Sequence, residues 1–186
     1  MLYVDTRDVP LDSFSRILHP YNTVLITASS KGKSNVMAAA WIMPVSINPP
    51  ILATSIKPER YTYQLIDESG FFAVNVPSFE NEKSVLVCGR KSGRDVDKFK
   101  LANFTTEPGR CIDAPIIKEC VAHLECKVSN TYRVGDHILV LGEVCAAYTR
   151  KEVFDKMYKL QVHHPLLHLG GDTFVTTASQ TNKTKK

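Results

Sequence analysis

The spacing of hydrophobic and polar positions changes period several times along the chain, and each change marks an element. Residues 12–18 place Phe14, Ile17 and Leu18 at helical spacing, which predicts a short helix capped by Asp12 and ended by His19-Pro20. The run YNTVLITA (21–28) is rich in β-branched residues, Ser30-Lys31-Gly32-Lys33 has turn chemistry, and residues 35–43 are apolar again. A strand, a tight turn and a second strand are predicted. ILATSI (51–56) predicts another strand. Pro58 then opens a helix over 59–68 with Tyr61, Leu65 and Ile66 on its inner side, and Gly70 ends it ahead of the strand FFAVNV (71–76). Residues 81–101 read as two helical pieces broken at Gly89-Arg90-Lys91-Ser92-Gly93, with Asp95 helping to cap the second. HLECKV (123–128) and HILVL (137–141) flank the polar stretch Val134-Gly135-Asp136, a long β-hairpin.

Many strands, closely spaced turns and only short helices predict a mainly β chain whose antiparallel sheet is closed or nearly closed into a barrel. One domain over residues 1–178 and a flexible basic tail over 179–186 are expected, in keeping with 186 residues that are 44% hydrophobic and 23% charged.

The formal charge of +4 changes little, because Lys183, Lys185 and Lys186 supply three of those charges and leave no basic stripe of the kind nucleic acids require. Five cysteines, at 88, 111, 120, 126 and 145, are an odd and scattered set, so reduced thiols in a cytoplasm are expected. Asp5, Arg7 and Asp8 stand where a signal peptide needs an apolar core, and the apolar run 36–43 stops at Pro44. Neither export by that route nor a membrane span is expected.

Most familiar chemical motifs fail. Gly32-Lys33-Ser34 ends like a phosphate loop, but position 27 is threonine where a glycine is needed. On a strand, Cys120 and Cys126 would face opposite to His123, so they cannot chelate together, and His163, His164 and His168 have no metal-ligand spacing. No serine elbow is present.

Three segments remain. NVMAAAW (35–41) presents consecutive small residues that a flat ring could approach, or that sheet packing or a subunit contact could use. SIKPERYT (55–62) passes from a strand into a helix start with two cations and several hydroxyls, chemistry that suits a phosphate. GRKSGRDVDKF (89–99) is a basic loop in which Ser92-Gly93 can form an anion nest.

Taken in order with HPYNTVLITASSKGKS before them and FFAVNVPS, HLECKV and LHLGGDTF between and after, these segments resemble the flavin reductase-like, FMN-binding split-barrel family, which includes flavoredoxins and an archaeal ferric reductase. The resemblance covers residues 19 to about 175. It implies a Greek-key-like split β-barrel, a homodimer, and FMN near the subunit interface. It places Asn35, Met37, Ala38, Ala39, Ala40 and Trp41 along the isoalloxazine, Ser55, Lys57, Arg60 and Tyr61 near the ribityl phosphate, and Ser92, Gly93 and Lys98 in the cofactor region. Family members commonly carry serine or threonine where this chain has Ala39. The function implied is transfer of reducing equivalents from NADH or NADPH through the flavin to ferric iron, free flavin or another acceptor, with no catalytic side chain required. The alternatives from other classes are a non-catalytic electron carrier of flavoredoxin type, a barrel without redox turnover, and a pyridoxamine phosphate oxidase-like enzyme.

Overall fold

The computed structural model describes residues 6–178. In chain order the elements are β1 (Tyr21–Asn22), β2 (Val24–Ser30), β3 (Lys33–Ala39), β4 (Ile42–Ser46), β5 (Ile51–Ile56), α1 (Tyr61–Ser69), β6 (Phe71–Val76), α2 (Glu82–Arg90), α3 (Lys98–Leu101), β7 (Thr106–Pro108), β8 (Pro115–Ile117), β9 (Ala122–Val134), β10 (His137–Thr149), β11 (Phe154–Asp155), β12 (Met157–Tyr158), β13 (Leu167–Gly170) and β14 (Thr173–Val175). A 3₁₀ helix, Leu11–Leu18, precedes them. The expected basic tail at 179–186 lies outside the described residues.

Seven strands form one antiparallel sheet in the order β3-β2-β6-β9-β10-β5-β4. Its two edges, β3 and β4, are separated in sequence only by Ala40 and Trp41. The three steps from Ala39 to Ile42 span at most about 11 Å, whereas a flat sheet of seven strands would hold its edges roughly 29 Å apart. The sheet must therefore curl until its edges meet at Ala40-Trp41. No hydrogen-bonded ladder joins β3 to β4 among the described residues, so the barrel is split at this seam instead of closed. The Trp41 carbonyl accepts from the Ser55 amide at 2.9 Å and the Thr54 hydroxyl at 3.2 Å, which ties the link to β5.

Side-chain alternation divides the core in two. On β2, Val24, Ile26 and Ala28 enter the barrel interior with Leu52, Ile56, Phe72, Val140 and, from α1, Leu65 and Ile66. Leu25 faces outward, joining Val36, Val85, Cys88, Phe104, Ile117 and Leu166 in a second cluster that seats α2. The β2–β3 turn puts Lys31 at φ 51° and Gly32 at φ 74°, the left-handed pair that matches the twist of a two-residue hairpin.

Several expectations need correction. Asp12 caps nothing: the first helix is 3₁₀, starts after Pro10 and has no side-chain cap. α1 begins at Tyr61, with Arg60 in extended conformation as its N-cap residue. Asp97, not Asp95, caps α3, its carboxylate accepting from the amides of Phe99 at 3.1 Å and Lys100 at 3.2 Å. Cys120 precedes β9 and packs in the outer cluster, while Cys126 on β9 packs in the barrel.

The thiols are not all reduced. Cys111 is disulfide-bonded to Cys145, 34 residues away, and Cys88, Cys120 and Cys126 are the buried free thiols. Two features bring the pair together. The register of β9 and β10 slips between Val144 and Ala146, leaving Cys145 as the extra, outward residue of a bulge. Opposite it, the carboxylate of Glu125 gathers the loop of Cys111 by accepting from the amides of Arg110 (2.8 Å), Cys111 (2.7 Å) and Ile112 (3.2 Å). The cytoplasmic expectation rested on reduced cysteines, and the bridge removes that ground. No helix among the described residues is long and apolar enough to cross a membrane.

Candidate functional site

The seam between β3 and β4 opens onto a cleft walled by α1, α2, the 91–97 loop and the β13–β14 hairpin. Because among the described residues β3 pairs only with β2, the backbone groups on its other edge have no strand partner there. Its side chains alternate: Met37 and Ala39 turn toward the barrel core, Val36 and Ala38 toward the α2 side.

At one end lies a cavity of about 210 Å³ whose lining holds five cationic side chains, Arg60, Arg90, Lys91, Arg94 and Lys98, against one carboxylate, Glu59. Arg90 is neutralised by Asp172, its Nε donating at 2.7 Å. Arg94 donates to the Glu59 carbonyl at 3.1 Å and lies over the Tyr61 ring. Among the described residues Arg60, Lys91, Arg94 and Lys98 have no carboxylate within 4 Å. The start of α1, with no side-chain cap, faces the same space, so amide dipoles and fixed charges both favour an anion.

Two local devices shape this cavity. Asn35 is buried and its Nδ2 donates to the Thr62 hydroxyl at 2.9 Å, bracing β3 against α1. The backbone of Gly93 comes so close that an added β-carbon would overlap the Asn35 side chain, so only glycine fits there. Lys98 is 5% exposed and donates to the Cys88 carbonyl at 2.8 Å, at the end of α2. Desolvation lowers its pKa to about 8, with the Arg60 charge acting in the same direction.

The cavity continues along the seam into a second one of about 290 Å³, lined by Met37, Ala38, Ala39, Ala40, Trp41, Ser55, Lys57 and Arg60 together with Arg16, His19, His137 and His168. Met37, Ala38 and Arg60 belong to both linings. The Trp41 and His137 rings lie 5.0 Å apart at 33°, and Lys57 pairs with Asp136 at 3.5 Å. The His137 hydrogen bond chiefly holds the Asp136 carboxyl below its usual range.

Every residue singled out from the sequence lies on this continuous cleft. Asn35, Tyr61, Ser92, Gly93 and Lys98 line the cationic end, Ala39, Ala40, Trp41, Ser55 and Lys57 the seam, and Met37, Ala38 and Arg60 both. Sequence reasoning missed Thr62, Arg94, Arg16, His137 and His168. Arg94, Thr62 and His168 sit inside quoted motifs, His168 having been weighed there only as a metal ligand, whereas Arg16 arrives from the N-terminal 3₁₀ helix and carried no local signal. The three C-terminal histidines do not gather: His163 Nδ1 bonds Ser78 at 3.0 Å, His164 Nδ1 bonds Glu80 at 2.8 Å, and His168 Nε2 donates to the Gly171 carbonyl.

A family model for the flavin reductase like domain matches residues 14–177. The chain belongs to that family. A flavin reductase of Pseudomonas putida is 32% identical over 128 residues, covering 68% of this chain and 71% of that protein. Among solved structures, flavoredoxin from Methanosarcina acetivorans superposes with a TM-score of 0.87 at 31% identity, covering 97% of this chain and 95% of the other. The FMN-binding domain of a flavin reductases-like enzyme from Shewanella baltica gives 0.79 at 26% identity, covering 95% and 96%. An Aeropyrum pernix relative is 38% identical over 88% of this chain, which spans 63% of that longer protein. This family, its flavoredoxin and flavin reductase members, and the mainly β architecture make the chain a flavin reductase-like protein of flavin-related redox type.

Proposed function

We propose that the chain is an FMN-dependent oxidoreductase that passes reducing equivalents from NADH or NADPH to ferric iron, free flavin or another acceptor. One observation carries the reading: a cationic cavity of about 210 Å³, with room for a phosphate, adjoins a seam floored by small residues at an unpaired strand edge. A mononucleotide needs one anion site and one flat slot, and the cleft offers both. The residues fit the group chemically, since four cations without carboxylate partners and the free start of α1 converge where the phosphate would lie. Arg60, Lys98 and the Ser92-Gly93 loop would hold the phosphate, with Lys57 and Ser55 toward the ribityl chain. Residues 37–41 would carry the ring on backbone and small side chains.

When bound, FMN supplies the redox chemistry, exchanging a hydride or single electrons. The protein supplies position and field: Trp41 and His137 bound one side of the slot, and Arg16 and His168 leave cationic and polar groups at its mouth. No side-chain acid or nucleophile is assigned. Residues up to 178 are read as one domain, because Leu166 near the C-terminus shares a core with Leu25 and Val36. A homodimer is part of the proposal, supported by exposed Phe14, Trp41, Met43 and Ile47 beside the seam.

The similarity to flavoredoxin over nearly the whole chain supports a second reading, a carrier whose flavin is reduced by a protein partner. Anaerobic stopped-flow mixing of FMN-loaded protein with NADH and with NADPH separates the two. Rapid bleaching of the flavin with either nucleotide is expected, and a flavin inert to both would leave only the carrier.

A further inference from the structure

A second cationic cleft lies at the opposite end of the β9–β10 hairpin from Trp41 and His137, roughly 35 Å away along β10. His123 forms part of its lining and is 8% exposed. The ring's protonation can be read from its partner. Asn75 Nδ2 donates to the Leu25 carbonyl at 3.2 Å, which fixes Asn75 Oδ1 as an acceptor, and that oxygen already receives the Ile117 amide at 2.9 Å. His123 Nδ1, 3.0 Å from the same oxygen, must therefore carry the proton. Burial, reinforced by the charges of Arg150 and Arg110, keeps the ring neutral with a pKa of about 4, against the opposing pull of Glu125 and Glu107. His123 Nε2 is left with a lone pair and no protein partner among the described residues.

Two arginines line the same cleft, and their charges act on the His123 ring. Arg110 stacks on Tyr148, 3.6 Å from the ring centroid, and its N–H edges make no bond among the described residues. Arg150 gives one N–H to the Lys118 carbonyl at 2.8 Å and has no carboxylate within 4 Å among those residues. The charge of Lys118 is already met by Glu107 at 2.8 Å. Two cations without an ion-pair partner within 4 Å among the described residues, and one free accepting nitrogen on a buried ring, match a ligand with negative oxygens and one remaining O–H.

We propose that this cleft is a binding site for a small protonated oxyanion, of which hydrogen phosphate is the simplest, with Arg110 and Arg150 on its charged oxygens and His123 Nε2 accepting its O–H. The site is independent of the flavin reading. The His123 side-chain resonances in ¹⁵N-edited spectra, assigned by their loss in His123→Asn, provide a local probe that phosphate bound in the first cavity does not move. Titration with inorganic phosphate at neutral pH should shift them saturably. Sulfate, which has no proton to donate, should bind at least about tenfold more weakly, and Arg110→Gln should weaken phosphate by about the same factor. No saturable shift, equal response to sulfate, or unchanged affinity in Arg110→Gln with the ligand-free spectrum intact would each overturn the proposal. The phosphate and sulfate titrations are both made on the wild-type protein, so their comparison stands even if Arg110→Gln fails to fold.

Discussion

Lys98 shows how a single residue couples the fold to the proposed ligand. Buried beside the Cys88 carbonyl with its pKa lowered to about 8, it penalises the ligand-free folded state below that pH, where it is charged in both states. The penalty fades as pH rises from about 8 toward the unfolded value of 10.5, where the unfolded chain holds the extra proton. A bound phosphate would reverse the bias and favour the ammonium. Binding should then take up a proton above pH 8, so FMN affinity should fall by up to about tenfold per pH unit there. Isothermal titration in buffers of different ionisation heat checks this, and Lys98→Met should abolish the pH slope. The lysine itself was legible in the motif KSGRDVDKF. Its burial was not, because it follows from α3 folding back onto the end of α2.

Among the elements, strands with a regular pattern were readable and the short ones were not. ILATSI and FFAVNV became β5 and β6 over the predicted residues. The hairpin was recognised from its turn but runs well beyond both predicted strands, to Ala122–Val134 and His137–Thr149: the missed part of β9 is the solvent-facing tip, which lacks apolar alternation, and the missed part of β10 is the far end, where register shifts break the alternation. β13 and β14, of four and three residues, are too short to show any period. The disulfide lay beyond sequence reasoning for a different reason: its geometry depends on the β10 bulge and on Glu125 holding a distant loop. It should be measurable by thiol counting. Native oxidised protein should react with little reagent, since its three free thiols are buried, the denatured oxidised chain should yield three, and full reduction five. Closing a loop of 34 residues should stabilise the fold by about 4 kcal/mol, read as the difference in denaturant midpoint between oxidised and reduced protein. Five thiols without reductant would contradict the bridge.

At the scale of the molecule, the cleft exists because two sheet edges are forced together by a two-residue link, and this closure was only partly foreseeable. Many strands, closely spaced turns and short helices predicted a closed or nearly closed barrel, but not where it would split. The site residues were legible in groups because each motif sits at an element end, while their convergence required the whole curl. The seam also leaves apolar side chains exposed, so sedimentation equilibrium should give a dimer at micromolar concentration, and a monomer with FMN fully bound would reject the proposed interface. The most direct test compares flavins that differ only by the phosphate. FMN and riboflavin affinities, measured by quenching of flavin fluorescence in wild type and Arg60→Ala, should differ strongly in wild type. The variant should lose about 1.5 to 3 kcal/mol for FMN and almost nothing for riboflavin. Equal affinity for the two flavins in wild type, or an equal loss for both in the variant, would contradict a phosphate held in the cationic cavity.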